Sequence, residues 1–264
     1  MAVPKKVNEL IESSGNNFHA KVARWFSEKG WGVIVSPYYM DQSQNKAREI
    51  DLIAEKLWSV EDQSNRRADD VAVRLFIECK FVPSLSVFWF ADKDQKSALK
   101  LVYSTKPFRP THTRTKEHHY LSQSPSVAKL FSTNSSKAKA PENEPFYKAL
   151  NQVLNATVSM RGQPVSVPPL NESNRAPKAL IEFPVVVCNS FNQIYSVDFD
   201  SNSKPEMVTD NFQLEVRYAY IDRHGQQRDE YFLLDFVEFD QLEKFMEAIN
   251  KDANLAVSFA PLTA

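Results

Sequence analysis

Arg48-Glu49-Ile50-Asp51-Leu52-Ile53-Ala54-Glu55-Lys56 and, after a polar stretch, Phe76-Ile77-Glu78-Cys79-Lys80 at the end of the apolar run 71–81 decide how this chain folds. In the first stretch Ile50 and Leu52 alternate with Asp51 and Ile53, and the second is the most strand-like segment of the chain. The polar segment Ser59 to Asp70 between them predicts a hairpin with an enlarged loop. Period-two geometry puts Glu78 and Lys80 on one face and turns Cys79 toward apolar neighbours. In the obvious register Asp51 lies beside Glu78, which gathers two carboxylates and an ammonium on one patch. A hard divalent cation such as Mg2+ binds through one or two carboxylates and keeps several waters, so this sparse set suffices, and a lysine beside it orients or deprotonates a bound water. The plainer reading is a same-face ion pair. A Glu-x-Lys triplet arises by chance roughly once in a chain of this size, so the surrounding elements must supply the specificity.

Upstream, Lys5 to Ser13 reads as a short helix, and Ser13-Ser14-Gly15-Asn16-Asn17 as a stop with a fresh N-cap. Phe18, Val22, Trp25 and Phe26 then form one apolar helical stripe closed by Gly30. Trp31 to Tyr39 reads as a strand and Asp41 to Ala47 as a polar loop. Downstream, Asp92 to Tyr103 has helical spacing, 104–136 gives a weak signal, and the Ser-, Lys- and Pro-rich tract 132–145 reads as an exposed loop within one fold. Phe146 to Met160 is a second clear helix. The last third predicts strands at Leu180–Cys188, Gln193–Phe199, Phe212–Tyr220 and Tyr231–Phe236, then a helix from Phe239 to Asn250.

In this order of elements, residues 13 to 103 resemble the PD-(D/E)xK nuclease superfamily, the fold of restriction endonucleases, in particular methylated-DNA-restricting enzymes and archaeal Holliday-junction resolvases. The resemblance rests on the helix ending in Gly30-Trp31, the strand to Tyr39, Arg48-Glu49-Ile50-Asp51-Leu52-Ile53 as the acidic strand and Phe76-Ile77-Glu78-Cys79-Lys80 as the second. It implies that Asp51 and Glu78 ligate Mg2+ (or Mn2+) with help from the main-chain carbonyl of Cys79, and that Lys80 activates the water that hydrolyses a phosphodiester. It further implies DNA as substrate, with RNA as an alternative, and genome defence as the setting. Close members often carry a glutamate on the first helix where this chain has His19. His19 is therefore a site candidate, ranked above Glu12, and a catalytically inactive module that binds nucleic acid or protein is the rival reading. The long separation of Asp51 from Glu78 is a second departure. Arg66 and Arg67 in that insertion sit beside Asp69 and Asp70, which dilutes any role in substrate contact.

A formal net charge of -1 gives no general attraction to phosphate backbones, so nucleic-acid contacts need a local patch. Lys96, Lys100, Lys106, Arg109, Arg114 and Lys116 form the best one, with Phe108 and Tyr120 as stacking candidates and a solvated loop as the alternative. His112, His118 and His119 have no neighbouring Cys and fit no closed zinc site. Asp198, Asp200 and Asp210 lack the order of a calcium loop and read as turn residues, and Asp235 and Glu238 as surface charges. Cys79 and Cys188 sit in apolar runs, as reduced core thiols do, which with the absence of a signal-like start points to the cytoplasm. Nothing approaches an 18-residue apolar span, so no membrane is expected. The expected fold is thus α/β: one restriction endonuclease-like domain over 1–264, with a mixed central sheet flanked by helices, a catalytic core at 13–103 and a sheet extension at 180–264. Whether it forms a homodimer is open.

Overall fold

A computed structural model describes residues 5–13, 15–61, 67–82, 84–134, 145–164, 177–201 and 203–259. Two helices open the chain, α1 (Lys5–Ser13) and α2 (Gly15–Glu28). Gly30 closes α2 at a φ of 75°, a left-handed conformation that glycine adopts without a Cβ penalty, and the Trp31 N–H returns to the Phe26 carbonyl at 3.0 Å.

The expected strand 31–39 is two strands. β1 (Gly32–Val35) ends at Ser36, whose φ is 54°, and Pro37 has no N–H to continue a ladder; β2 (Tyr38–Asp41) then pairs with β3 (Lys46–Glu49) in a separate two-stranded sheet. The expected strand 48–56 divides at the same level, because Ile50 and Asp51 bend between β3 and β4 (Leu52–Glu61). Two bonds lock the double bend: Ser36 N–H to the Asp51 carbonyl at 2.9 Å and Ile50 N–H to the Pro37 carbonyl at 3.1 Å. β4 and β5 (Arg67–Lys80) form the expected hairpin, in register Leu52↔Ile77 to Glu61↔Arg67, so the ladder runs through most of the segment expected to loop. Arg66 lies outside the described residues, as does most of the tract 132–145.

A strand not foreseen in the sequence, β6 (Ser86–Asp92), follows, then α3 (Gln95–Ser104), a 3-10 turn (Thr113–Glu117), α4 (His119–Ser122) and β7 (Ser126–Thr133). α5 (Pro145–Met160), β8 (Ala179–Cys188), β9 (Ile194–Asp198), β10 (Glu206–Met207), β11 (Phe212–Ile221), β12 (Gln227–Glu238) and α6 (Leu242–Phe259) complete the chain, α6 running nine residues past its expected end. The main sheet is ten-stranded and mixed, in order β1-β4-β5-β8-β12-β11-β7-β6-β9-β10, so the last third does extend the sheet that holds the hairpin. β8 lies parallel to both β5 and β12.

Each sheet face has its own core. Leu75, Ile77 and Cys79 of β5 pack with Val22 and Phe26 of α2, Val102 of α3, and Phe245 and Ile249 of α6. Phe76, from the other face, packs with Ile50, Tyr39 and the buried stripe of α5. There Phe88, Phe146, Phe212 and Phe236 meet edge to face, tilted or stacked at 5.0 to 5.6 Å, which ties β6 to β11, β12 and α5. No helix among the described residues is long and apolar enough to cross a membrane.

Candidate active site at the end of the hairpin

The β4–β5 ladder stops at Leu52↔Ile77, one residue short of Asp51 and Glu78. With no β4 partner beyond that point, the Cys79 N–H on that edge is free to donate to a side chain, and it donates to Asp51 Oδ2 at 2.8 Å. The same oxygen lies 3.3 Å from Nε2 of His19, which the first turns of α2 bring over the strand end. Alternation along β5 puts Glu78 and Lys80 on the α5 side of the sheet and the Cys79 side chain in the α2 side core. Lys80 Nζ stands 2.9 Å from Glu78 Oε2. His19, Asp51, Glu78 and Lys80 therefore converge at one sheet end, and Cys79 joins them through its main-chain N–H.

Glu78 is the unusual member. It is fully buried, and neither carboxylate oxygen accepts a hydrogen bond of normal geometry, leaving the Lys80 ammonium as its ion-pair partner. Burial pushes its carboxyl up to about 7, with the Asp51 carboxylate adding and the Lys80 ammonium opposing. Burial works to lower Lys80, but the carboxylates of Glu78 and Asp51 outweigh it, and the net shift is upward. Lys80 is thus an ammonium at neutral pH. Tyr39, missed in the sequence reading, also faces the site: burial and the nearby Glu78 carboxylate hold its phenol far above the usual range, and its hydroxyl donates to the Gln152 carbonyl of α5 at 3.2 Å.

The basic stretch is elsewhere. β6 carries the chain away from Lys80, and α3, with Lys96 and Lys100, packs against β12 instead. Lys106 lines a cleft of about 400 Å³ with Lys178 and Ala179. Ala179 pairs with Val71, whereas Cys188 pairs with Lys80, so about 30 Å of strand separates that cleft from the site at ~3.3 Å per residue. Arg114 is paired with Glu117 at 2.9 Å. Arg109 precedes the 3-10 turn that carries Arg114 and Lys116. Phe108 and Tyr120 are buried, so they are core residues and not stacking surfaces.

Two other expectations change. Asp235 is buried and not a surface charge: its Oδ1 accepts from Gln213 at 3.2 Å and its Oδ2 lies 3.2 Å from His119 Nε2. Glu238 is half-buried and holds the Phe191 N–H at 2.8 Å. His118 and His119 gain a distant partner, Asp252 of α6, and their ligating atoms all lie within 4.8 Å of one another, a spacing a metal could use. Their lone pairs are already committed. His118 Nδ1 accepts from the Tyr120 N–H at 3.2 Å, which leaves Nε2 as the protonated nitrogen facing Asp252 at 3.3 Å. His119 has a carboxylate at each nitrogen, Asp252 at Nδ1 and Asp235 at Nε2, and although burial opposes it these two carboxylates raise it to about 10, making it an imidazolium. Burial lowers His118 to about 3, so it stays neutral. The cluster reads as a proton-holding clamp and not a metal centre. His112 stacks on Phe259 at 4.2 Å. Asp200 N–H on Asp198 Oδ1 and Lys244 on Asp210 are turn and surface contacts, as expected. Cys79 and Cys188 are free, buried thiols.

Compared with known proteins, the chain matches no family model, no curated sequence and no solved structure.

Proposed function

We propose that His19, Asp51, Glu78 and Lys80 form the centre of a metal-dependent phosphodiesterase acting on nucleic acid, a nuclease of restriction endonuclease-like fold with DNA as its first candidate substrate. The observation that carries the reading is Glu78, a fully buried carboxylate that accepts no hydrogen bond of normal geometry and has the Lys80 ammonium at 2.9 Å, beside the Asp51 carboxylate at an open strand end. Such a group is costly to bury unless a cation completes its surroundings. Asp51 and Glu78, with the Cys79 carbonyl, would hold Mg2+ or Mn2+, hard cations that accept two protein carboxylates and fill the remainder with water. Bound there, the cation supplies positive charge against a pentavalent phosphorus transition state and lowers the pKa of a coordinated water.

The protein's own part is positional. The Cys79 N–H fixes the Asp51 carboxylate, so one ligand is oriented before any cation arrives. Lys80, protonated, serves as a second positive charge for the non-bridging phosphate oxygens and as an orienting donor to the attacking water. It is not the base in this arrangement. His19, partly exposed and 3.3 Å from Asp51, stands where a proton can be passed to solvent.

The test is parallel incubation of plasmid, single-stranded DNA and RNA with Mg2+ or Mn2+, comparing the native chain with Asp51→Asn and Lys80→Ala. Cleavage of at least one substrate, reduced a hundredfold or so by either change, is the expected result. One observation favours a non-catalytic module instead: His19 occupies an Asp51 oxygen that a cation needs. Titration with Mn2+ separates the two, since uptake lost in Asp51→Asn belongs only to the first.

A further inference from the structure

Most of one edge of β11 has no partner strand. On one side β11 is laddered to β12 along its whole length, from Phe212↔Phe236 to Ile221↔Gln227, but on the other it meets β7 only at Leu214↔Ala128. A register shift at Trp89/Phe90 leaves Lys129, the residue after Ala128, out of the β6–β7 ladder. A bulge of this kind bends its strand, and from there β7 follows β6 and leaves β11. The two parallel strands fork, and the fork is a cleft of about 740 Å³ lined by residues of β7, α5 and β11.

The open edge can be traced group by group. The Asp222 N–H closes the β11–β12 turn on the Gln226 carbonyl at 2.9 Å, and the Ile221 N–H, pointing the other way, is met by Ser43 Oγ at 3.4 Å. Main-chain groups of successive residues in an antiparallel strand point to opposite sides, so the N–H and C=O of Ala219 and Arg217 share the Ile221 side and face the fork. Among the described residues nothing bonds to them, and both residues are exposed. Donors and acceptors repeating at every second residue are what another extended backbone pairs with. Side chains set the pattern of that backbone. On the α5 side the fork is apolar, with Val216, Tyr218, Phe131 and Leu150. Toward the opposite face Glu215 holds Lys129 at 2.6 Å and Arg217 turns to Ser97 at 3.3 Å.

We propose that β11 takes up an extended peptide segment of a partner protein as an added strand, apolar at every second residue toward α5 and polar at the residues between. The periodic row of main-chain groups selects an extended backbone over a small ligand, and the apolar wall selects an alternating sequence over a uniformly charged one. The edge from Glu215 to Ile221 is about 20 Å long, roughly the length of a heptapeptide. Because β12 already holds β11 in place, the edge is formed before the peptide arrives.

The test is selection of linear heptapeptides from a random phage-displayed library on the full chain, followed by fluorescence anisotropy with the enriched peptide, whose sequence should alternate apolar and polar residues. Ala219→Pro removes one edge N–H that faces solvent, a position where proline is tolerated. It should keep the native circular dichroism spectrum and weaken the peptide about tenfold, the worth of one hydrogen bond left unmade, while Ala219→Ser leaves binding unchanged. N-methylation of the peptide at alternate residues reads the same pairing from the other partner and needs no variant protein: methylating the set that faces β11 should abolish binding. No enriched peptide, binding indifferent to Ala219→Pro, or binding that survives N-methylation of each alternate set in turn would overturn the proposal. So would a dimer of the native chain that Ala219→Pro dissolves, because a second copy would then hold the edge.

Discussion

Glu78 shows how one side chain links stability to chemistry. Its carboxyl titrates near 7 in the folded protein and near 4.5 when the chain is unfolded, so the folded state holds its proton more tightly. A group raised in this way contributes stability that is complete below pH 4.5 and is lost as pH rises through 7. The loss is on the order of 3 kcal/mol, from a shift of two to three pH units at about 1.4 kcal/mol each. Glu78→Gln, which mimics the protonated form, should therefore raise the melting temperature of the metal-free protein at pH 8 and leave it unchanged at pH 4.5; equal effects at both values would remove burial of a charged Glu78 from the account. Mn2+ should stabilise the native chain at pH 8 and not the glutamine variant. His19 permits a related measurement. Replacing it by glutamate, the residue that the resembled nucleases often carry there, adds an anion beside Asp51 and should tighten Mn2+ binding severalfold, whereas weaker binding would mean that the α2 position does not face the cation. Glu78 and Lys80 could be read from the sequence because strand alternation puts them on one face, and Asp51 because the hairpin register ends one residue from it. The orphaned Glu78 oxygens and Tyr39 could not, since burial of an acid and the approach of a neighbouring hairpin are tertiary facts.

At the level of elements, the bend at Ser36-Pro37 and the clamp around His119 are the instructive features. The residues for the bend were visible, a proline in an otherwise strand-like run, but the β-branched and aromatic content of Trp31 to Tyr39 masked the break. The clamp was invisible for a different reason: His119 and Asp252 are 133 positions apart, and Asp235 is a further strand away. Local spacing tested only for zinc and found no partner. In the fold the clamp ties α4 to α6 and β12 with every charged group buried, and Asp252 is held below the usual carboxylate range because the two histidines outweigh its desolvation. His119→Ala leaves two buried carboxylates facing each other without a cation, a change that should cost about 3 to 5 kcal/mol in urea unfolding. Because no nitrogen lone pair is spare, EDTA should not lower the melting temperature and the purified protein should contain no stoichiometric zinc. A zinc-loaded protein that melts earlier after chelation would replace the clamp with a metal site.

For the whole molecule, the ten-stranded sheet decides which distant sequences become neighbours. The helix and hairpin order at 13–103 was readable because each element carries its own periodicity. The route of the chain after Lys80 was not, because Val87 to Ala91 of β6 are apolar without a break, which gives no alternation to read although only Phe88 among them is fully buried. That route has a functional consequence. With β6 intervening, Lys106 sits at the opposite end of β5 and β8 from Lys80, and Arg114 is neutralised by Glu117. A strand of nucleic acid held at Asp51 and Glu78 and running toward the α5 side of the sheet meets Lys148 before any of the chain 96–116. Each phosphate contact removed from a complex flattens the dependence of log Kd on log salt concentration by nearly one unit. The double substitution Lys106→Glu, Arg109→Glu should therefore leave that slope and the cleavage rate of the native chain unchanged, while Lys148→Ala should reduce the slope by about one. If the double substitution reduces the slope and Lys148→Ala does not, nucleic acid binds the outer face over α3, and the basic stretch read from the sequence is the true interface.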